Sequence, residues 1–204
     1  MTSPGDHWEA LYSSTAPKNL SWYEREPTYS LRLIERTGPA PSTAIIDIGA
    51  GTSMLVDRLL DHGYNSVTLL DISVRALAEV SRRLGERAGG VLFIRHDVLT
   101  WQPDRRYDIW HDRAVFHFLT EATDQGRYVE LVADTVCTGG WLLLATFAPD
   151  GPTRCSGLPV SRYSADQIAK TFSPAFGFIE SLREEHLTPE GAVQPFTWVR
   201  LRHT

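Results

Sequence analysis

Cysteine, positive charge and long apolar runs are all scarce in this chain. Two cysteines, Cys137 and Cys155, lie in different segments of the 204 residues. Two thiols without an apparent signal peptide fit a reducing cytoplasm, not a disulfide scaffold, and without neighbouring cysteines Cys155 makes a weak case for a soft-element site, so no metal is expected. Twenty lysines and arginines stand against 25 acids, a net charge of −5. There is no global basic field to draw in nucleic acid, and the isolated pair Arg82-Arg83 reads as a solvated helix face. No apolar run approaches the roughly 20 residues of a membrane span. The N-terminus, with Asp6 and Glu9 among polar residues, lacks the apolar core of a targeting peptide. There is no internal repeat. The remaining composition, 42% hydrophobic and 22% charged, is that of a globular protein and suits one compact α/β domain.

From about residue 44 the pattern alternates strand and helix, which predicts a parallel sheet covered on both faces. Strands are expected at 44–48, 67–71, 91–95 (a continuous apolar run of the fully buried kind), 107–111 and 141–147. The intervening helices carry Leu55, Val56, Leu59 and Leu60, then Ala76, Leu77, Val80 and Leu84 with Ser73 as N-cap and Gly85 as stop. A further helix from near Thr123 turns Tyr128, Leu131, Val132 and Val136 inward and is ended by Gly139-Gly140; Ser164-Ala165-Asp166-Gln167 is a capping box. Residues 178–186 and 196–203 alternate apolar and polar around Thr188-Pro189-Glu190-Gly191, which reads as an antiparallel hairpin added to the sheet. Residues 1–40, rich in aromatics (Trp8, Tyr12, Trp22, Tyr23), are either a helical flap over a site or a helix docked on the domain formed by 41–204.

The stretch Ala44-Ile45-Ile46-Asp47-Ile48-Gly49-Ala50-Gly51-Thr52-Ser53 is a buried strand breaking into a glycine turn before a helix. Such a turn lets backbone N–H groups approach a nucleotide-type ligand with no Cβ in the way. A dinucleotide fingerprint requires a sixth-position glycine for close helix packing, and that position is Met54, so a nicotinamide oxidoreductase is disfavoured. Acids recur at successive expected strand ends: Asp47, Asp71, Asp97 and Asp112, the last preceded by His111. In doubly wound sheets those ends converge on the ligand crevice. Asp71 suits the two hydroxyls of a ribose, with a helix N-cap as its alternative role. Asp97 and the Val98 amide suit an adenine edge, and Ile72 and Val98 could flank the ring. Gly49, Gly51 and Asp47 are left for an amino-acid end. Acidic walls favour a sulfonium and would repel a pyrophosphate.

With these residues in view, the chain resembles the class I S-adenosylmethionine (SAM) methyltransferases over about residues 44–203: Ile45–Ser53 as motif I, Leu69–Ser73 as motif II, His96–Val98 as motif III and Tyr107–Arg113 as motif IV. Motif I departs in carrying Ser53 where a third glycine is common. A finer likeness is to short bacterial methyltransferase-domain proteins with Ser21-Trp22-Tyr23 near the N-terminus. The resemblance implies a Rossmann-like, seven-stranded, mostly parallel sheet, SAM as cofactor with S-adenosylhomocysteine as product, and His111 among the cofactor contacts.

The acceptor side is less legible. Methyl transfer needs a base only when the acceptor must lose a proton. His117, His111 and Asp112 are the candidates, His117 first, with packing between Phe116 and Phe118 as its alternative. A helical 114–119 would place Arg113 and His117 on one face. Candidate acceptor contacts are Trp22, Tyr23, Arg113 (or an ion pair to Asp112), Phe116, Arg154 and Leu158, while Glu184-Glu185-His186 read as a charged strand face. A small-molecule acceptor is expected first, a protein lysine second, and a SAM-binding module without catalysis third.

Overall fold

The computed structural model describes residues 4–204; residues 1–3 of the expected flap lie outside them. The chain begins with two helices, α1 (Pro4–Ser14) and α2 (Thr28–Glu35), and then alternates: β1 (Ile45–Ile48), α3 (Leu55–Asp61), β2 (Val67–Asp71), α4 (Val74–Leu84), β3 (Val91–Arg95), β4 (Tyr107–Arg113), α5 (Ala122–Thr135), β5 (Val136–Phe147), a two-by-two ribbon of β6 (Arg154–Cys155) and β7 (Leu158–Pro159), α6 (Ala165–Phe172), β8 (Phe176–Leu187) and β9 (Val193–His203). The large sheet runs β3-β2-β1-β4-β5-β9-β8. Its first five strands are parallel, while β9 runs antiparallel to both β5 and β8. This is the expected doubly wound α/β sheet with its terminal hairpin.

Strand parity decides what each face receives, because successive side chains point to opposite sides. On β1, Ile46 and Ile48 enter one core with Trp110, Leu142, Leu144 and Val199. Ile45 enters the other with Ile109, Leu143, Ala145 and Trp198. Three of the expected elements change. β3 is a sheet edge, so Leu92 stands 46% exposed instead of buried. α5 stops at Thr135, and β5 already begins at Val136, running through Gly139-Gly140 as a strand instead of a helix stop. Residues 114–119 hold only a single 3-10 turn at 116–118, because Ala114 takes a positive φ of 74° that interrupts helical continuity.

The local signals elsewhere are met. Ser73 accepts from the Ala76 amide and caps α4, and the Ser164–Gln167 box closes in both directions. The first helix docks through Glu9, whose carboxylate accepts from the Val74 and Arg75 amides at the start of α4, where the helix dipole favours an acid. Among the described residues no helix is long and apolar enough to cross a membrane.

Candidate functional site

The sheet order reverses between β1 and β4, and the crevice opened there at the strands' carboxyl ends is where such sheets bind ligands. The glycine turn after β1 has a tight build. Gly49 and Gly51 both adopt positive φ, +59° and +53°, a conformation costly to any residue with a Cβ. A Cβ on Gly49 would stand 2.1 Å from Val115 Cγ2, and one on Gly51 2.5 Å from the Tyr12 hydroxyl. Asp71 ties the turn to the next strand: its two carboxylate oxygens accept from the Gly51 and Ser73 amides, both at 2.7 Å. Burial lifts Asp71 to about 6 against the pull of those two N–H groups. Arg83, expected on a solvated face, instead donates to the Thr52 and Ser53 carbonyls and pairs with Asp57 at 2.7 Å. Its side chain is a clamp on the tail of the turn.

A cavity of about 360 Å³ runs along this crevice. It is lined by Gly49, Asp71, Ile72, Asp97, Val98, Leu119 and Asp124, and by Trp8, Tyr12, Trp22, Phe118, Phe147, Cys155, Leu158 and Phe196. The structure therefore brings together Asp71, Ile72, Asp97 and Val98 in one cavity. Asp97 Oδ1 also accepts from the Leu99 amide at 2.9 Å, which fixes its carboxylate. A smaller recess of about 40 Å³ adjoins it, lined by Trp22, Tyr23, Glu24, Asp47, Gly49, His111 and Arg113 among others.

The acid–base candidates are placed differently from expectation. Asp112 is one residue from Arg113 on β4 and so points to the opposite face. There it accepts from the Val115 and Phe116 amides and the Tyr128 hydroxyl, fully buried. Phe116 is likewise in that far core, against Tyr128, Tyr163 and Phe172, and Phe118 takes its place in the cavity. His111 is held at both ring nitrogens, by Asp47 at 2.7 Å and Ser30 at 2.9 Å. Arg154 turns back on the Gly157 carbonyl within the ribbon, away from the cavity.

His117 is fully buried against Phe118 and Phe147, with ring centroids 4.5 and 4.8 Å away, not between Phe116 and Phe118. Neither ring nitrogen finds a partner among the described residues, and burial together with the nearby Arg113 pushes its pKa down to about 3. The unfolded chain takes up a proton near 6.5 that the fold refuses, so this residue lowers stability as pH falls below about 6.5 toward 3. Replacing it with phenylalanine removes that loss. In urea unfolding, His117→Phe should gain roughly 2 kcal/mol on the wild type between pH 8 and pH 5; parallel pH curves for the two proteins would refute the assignment.

Sequence reasoning missed a buried charge cluster. Arg113 pairs with Glu24 and Glu184 at 3.3 Å each, donates to the Trp22 carbonyl, and lies 4.7 Å over the Phe196 ring. Glu184 also accepts from Trp198 Nε1 at 2.6 Å, and His186 Nε2 meets the Ser21 carbonyl at 2.8 Å. Glu184 and His186 are thus buried, 3% and 4% exposed, and only Glu185 of that triplet faces solvent. Parity on β8 was the available signal: Glu184 and His186 share the face of Phe196, with which Glu184 pairs in register. Ligand atoms of Glu24, Glu184 and His186 lie within 4.8 Å of one another, and the cation they surround is the Arg113 guanidinium. Burial lifts Glu24 to about 7, Arg113 pulling down and Glu184 pushing up.

Comparison with known proteins agrees with this architecture. Residues 45–140 match the methyltransferase-domain family. That stretch of the chain is similar to a methyltransferase domain, and the sheet order with its terminal hairpin is the fold of the solved methyltransferases it superposes on. Among curated relatives, it is 24% identical over 152 residues to an eEF1A lysine and N-terminal methyltransferase of Danio rerio, covering 72% of this chain and 22% of that protein. It is 29% identical over 107 residues to malonyl-[acyl-carrier protein] O-methyltransferase 2 of Ilyobacter polytropus, covering 52% and 40%. The chain spans less than half the length of these relatives. Among solved structures, one reported for conversion of a disulfide bond into a thioacetal group during echinomycin biosynthesis superposes with TM-score 0.77 at 21% identity, covering 96% of this chain and 91% of that one. The 1,6-didemethyltoxoflavin-N1-methyltransferase of Burkholderia thailandensis superposes with TM-score 0.70 at 19% identity, covering 95% and 81%.

Proposed function

We propose that the protein transfers the methyl group of SAM to a small-molecule acceptor, with residues 4–40, the described part of the N-terminal segment, acting as a flap over the site. The observation that carries this reading is one cavity that joins Asp71, Ile72, Asp97 and Val98 to a cage of N-terminal and sheet aromatics. The first set fits SAM. Asp71 would accept ribose hydroxyls with the lone pairs its two amide donors leave free. Asp97 and the Val98 amide would take the adenine edge, Ile72 and Val98 its faces, and the Gly49–Gly51 turn with the neighbouring Asp47–His111 pair the amino-acid end. SAM supplies an electrophilic methyl on a sulfonium. The chain's own residues hold the two partners in line and exclude water, which can supply most of the rate.

A protein-lysine acceptor is less favoured because a channel for a cation needs an available carboxylate. Of the two carboxylates expected to serve one, Glu24 is already paired with Arg113, and Asp112 is turned to the far face, where it accepts from the Phe116 amide. The toxoflavin-type relative, whose structure holds a small heterocycle beside S-adenosylhomocysteine, lends support to a small acceptor.

The test is isothermal titration with SAM, S-adenosylhomocysteine and NAD, followed by labelled methyl transfer into a cell extract separated into macromolecular and small-molecule fractions. SAM binding and label in the small fraction are expected; NAD binding alone, or label confined to protein, would overturn the reading. Asp71→Ala should weaken SAM binding by roughly 1–3 kcal/mol, the range for removing a buried hydrogen-bond partner. Unchanged affinity would contradict its ribose role.

A further inference from the structure

We propose that the acceptor is a neutral, planar aromatic heterocycle whose reacting nitrogen has a free lone pair and no proton to lose, so that the protein contributes no general base. The inference rests on the SAM-dependent reading above and deepens it.

Two observations carry it. The first is the shape and polarity of the acceptor half of the cavity. Trp8 stands edge-on to Phe118 at 5.2 Å and to Trp22 at 6.0 Å, and Tyr12 edge-on to Trp22 at 6.3 Å. With Phe147 and Phe196 they make a cage of ring faces and edges, which favours a flat π-system in offset or edge-to-face contact. The charged side chain on this half is Arg113, and it is spent on Glu24 and Glu184. A charged acceptor would lose its hydration here and gain no counter-ion. Gln194, a neutral amide on the same wall, can donate to or accept from a heterocycle's edge.

The second observation is where the bases are. Among the described residues, the carboxylates and imidazole that line the cavity are Asp71, Asp97, Asp124 and His96, and Asp124, on the first turn of α5, pairs with Arg127 at 3.6 Å. His111 is bound at both nitrogens, Asp112 is on the far face, His186 is held on the Ser21 carbonyl, and His117 lies behind Phe118 and Phe147, sealed from solvent. Besides Gln194, the polar groups that stand among the aromatics are the Tyr12 hydroxyl and the Cys155 thiol. Burial pushes both upward, so neither is ionised near neutral pH. Asp71 and Asp97 are the carboxylates assigned to the cofactor above, each already accepting from backbone amides, and His96 Nδ1 meets the Asp97 carbonyl at 3.0 Å. An acceptor hydroxyl would need its proton removed, and a lysine ammonium would need to shed one. A pyridine-type nitrogen needs neither. Its lone pair forms the new bond to the methyl carbon, the carbon–sulfur bonding pair returns to sulfur, and the positive charge passes to the ring with no proton released.

The experiment uses the full chain with isoquinoline as the neutral probe, against catechol and a lysine-containing peptide. Trp8 and Trp22 make intrinsic fluorescence a reporter of the cage. With S-adenosylhomocysteine saturating, isoquinoline should quench tryptophan fluorescence and bind at least tenfold more tightly than catechol or the peptide. With SAM, it should yield N-methylisoquinolinium with zero protons released per turnover, at a rate flat with pH above the probe's own titration. Phe118→Leu should weaken isoquinoline at least fivefold and leave SAM affinity unchanged, with circular dichroism and thermal unfolding confirming the fold. Methylation of catechol or the peptide in preference to isoquinoline, with a rate rising through a protein group's titration, would overturn the proposal, as would isoquinoline binding no tighter than the others. Failure of SAM itself to bind would instead remove the underlying functional reading, so the two failures are separable.

Discussion

Gly49→Ala is expected to lower SAM affinity at least a hundredfold and to cost roughly 2–5 kcal/mol of stability, the sum of a left-handed non-glycine residue and an overpacked contact. The backbone at Gly49 sits at φ +59°, and the added methyl would lie 2.1 Å from Val115 Cγ2. Valine cannot step aside cheaply. It is branched at Cβ, and its own amide is pinned by Asp112, which holds the Val115 and Phe116 N–H groups from below. The strain therefore goes into the turn, which the proposed function assigns to the cofactor and which Asp71 and Arg83 fasten from two other sides. Gly63→Ala is the matched control: φ is +84° there as well, but nothing lies within 4 Å of the new Cβ. It should cost about 1 kcal/mol from the backbone alone and leave SAM affinity intact. Thermal unfolding with and without S-adenosylhomocysteine distinguishes them, at roughly 2–4 °C per kcal/mol for a chain of this size. Equal melting temperatures and equal affinities for the two variants would show that the turn is not sterically locked.

That Asp71, Ile72, Asp97 and Val98 meet in one cavity was legible in the sequence because these residues stand at fixed places. Strand ends and glycine turns are local features, and the acids at 47, 71 and 97 stand beside them. The acceptor end was not legible. There, the proposed reading depends on which of two neighbouring residues faces the crevice. Asp112 and Arg113, or Phe116 and Phe118, differ only in direction. The bend at Ala114, with its positive φ, decided the second pair, and alanine carries no sequence signal for such a bend. Likewise Glu184 looked like surface because charge is usually solvated. Its burial depends on Arg113 arriving from a strand 71 residues away and on Glu24 arriving from the N-terminal segment. Long-range pairing of that kind leaves no local pattern. Even so, alternation along β8 would have placed Glu184 and His186 inward with Phe196, had the hairpin register been followed that far.

The Arg113 cluster is also what fastens the N-terminal segment over the cavity, and Arg113→Met should show it. The variant removes the cation from between two carboxylates whose side chains are only 16% and 3% exposed, and breaking one side of a buried charge cluster costs about 3–5 kcal/mol. It also removes the donor to the Trp22 carbonyl. The loss should depend on pH in a definite sense. In the wild type Glu24 already titrates at about 7, above its ordinary 4.5. Without Arg113, whose pull is downward, it moves higher still. The fold then holds a proton that the unfolded chain gives up, so stability is gained as pH falls through the folded value toward 4.5 and lost as it rises. Urea unfolding should therefore find the variant's deficit large at pH 8 and smaller at pH 6. Adding Glu24→Gln to Arg113→Met should recover part of the pH 8 loss, since one uncompensated carboxylate is gone. Limited proteolysis should cut the variant faster than the wild type at Arg25, beside the released Glu24, and bound S-adenosylhomocysteine should slow that cut if the segment closes on the site. A deficit below 1 kcal/mol, or one equal at both pH values, would mean that the cluster is not a clasp and that the aromatics alone hold the segment down.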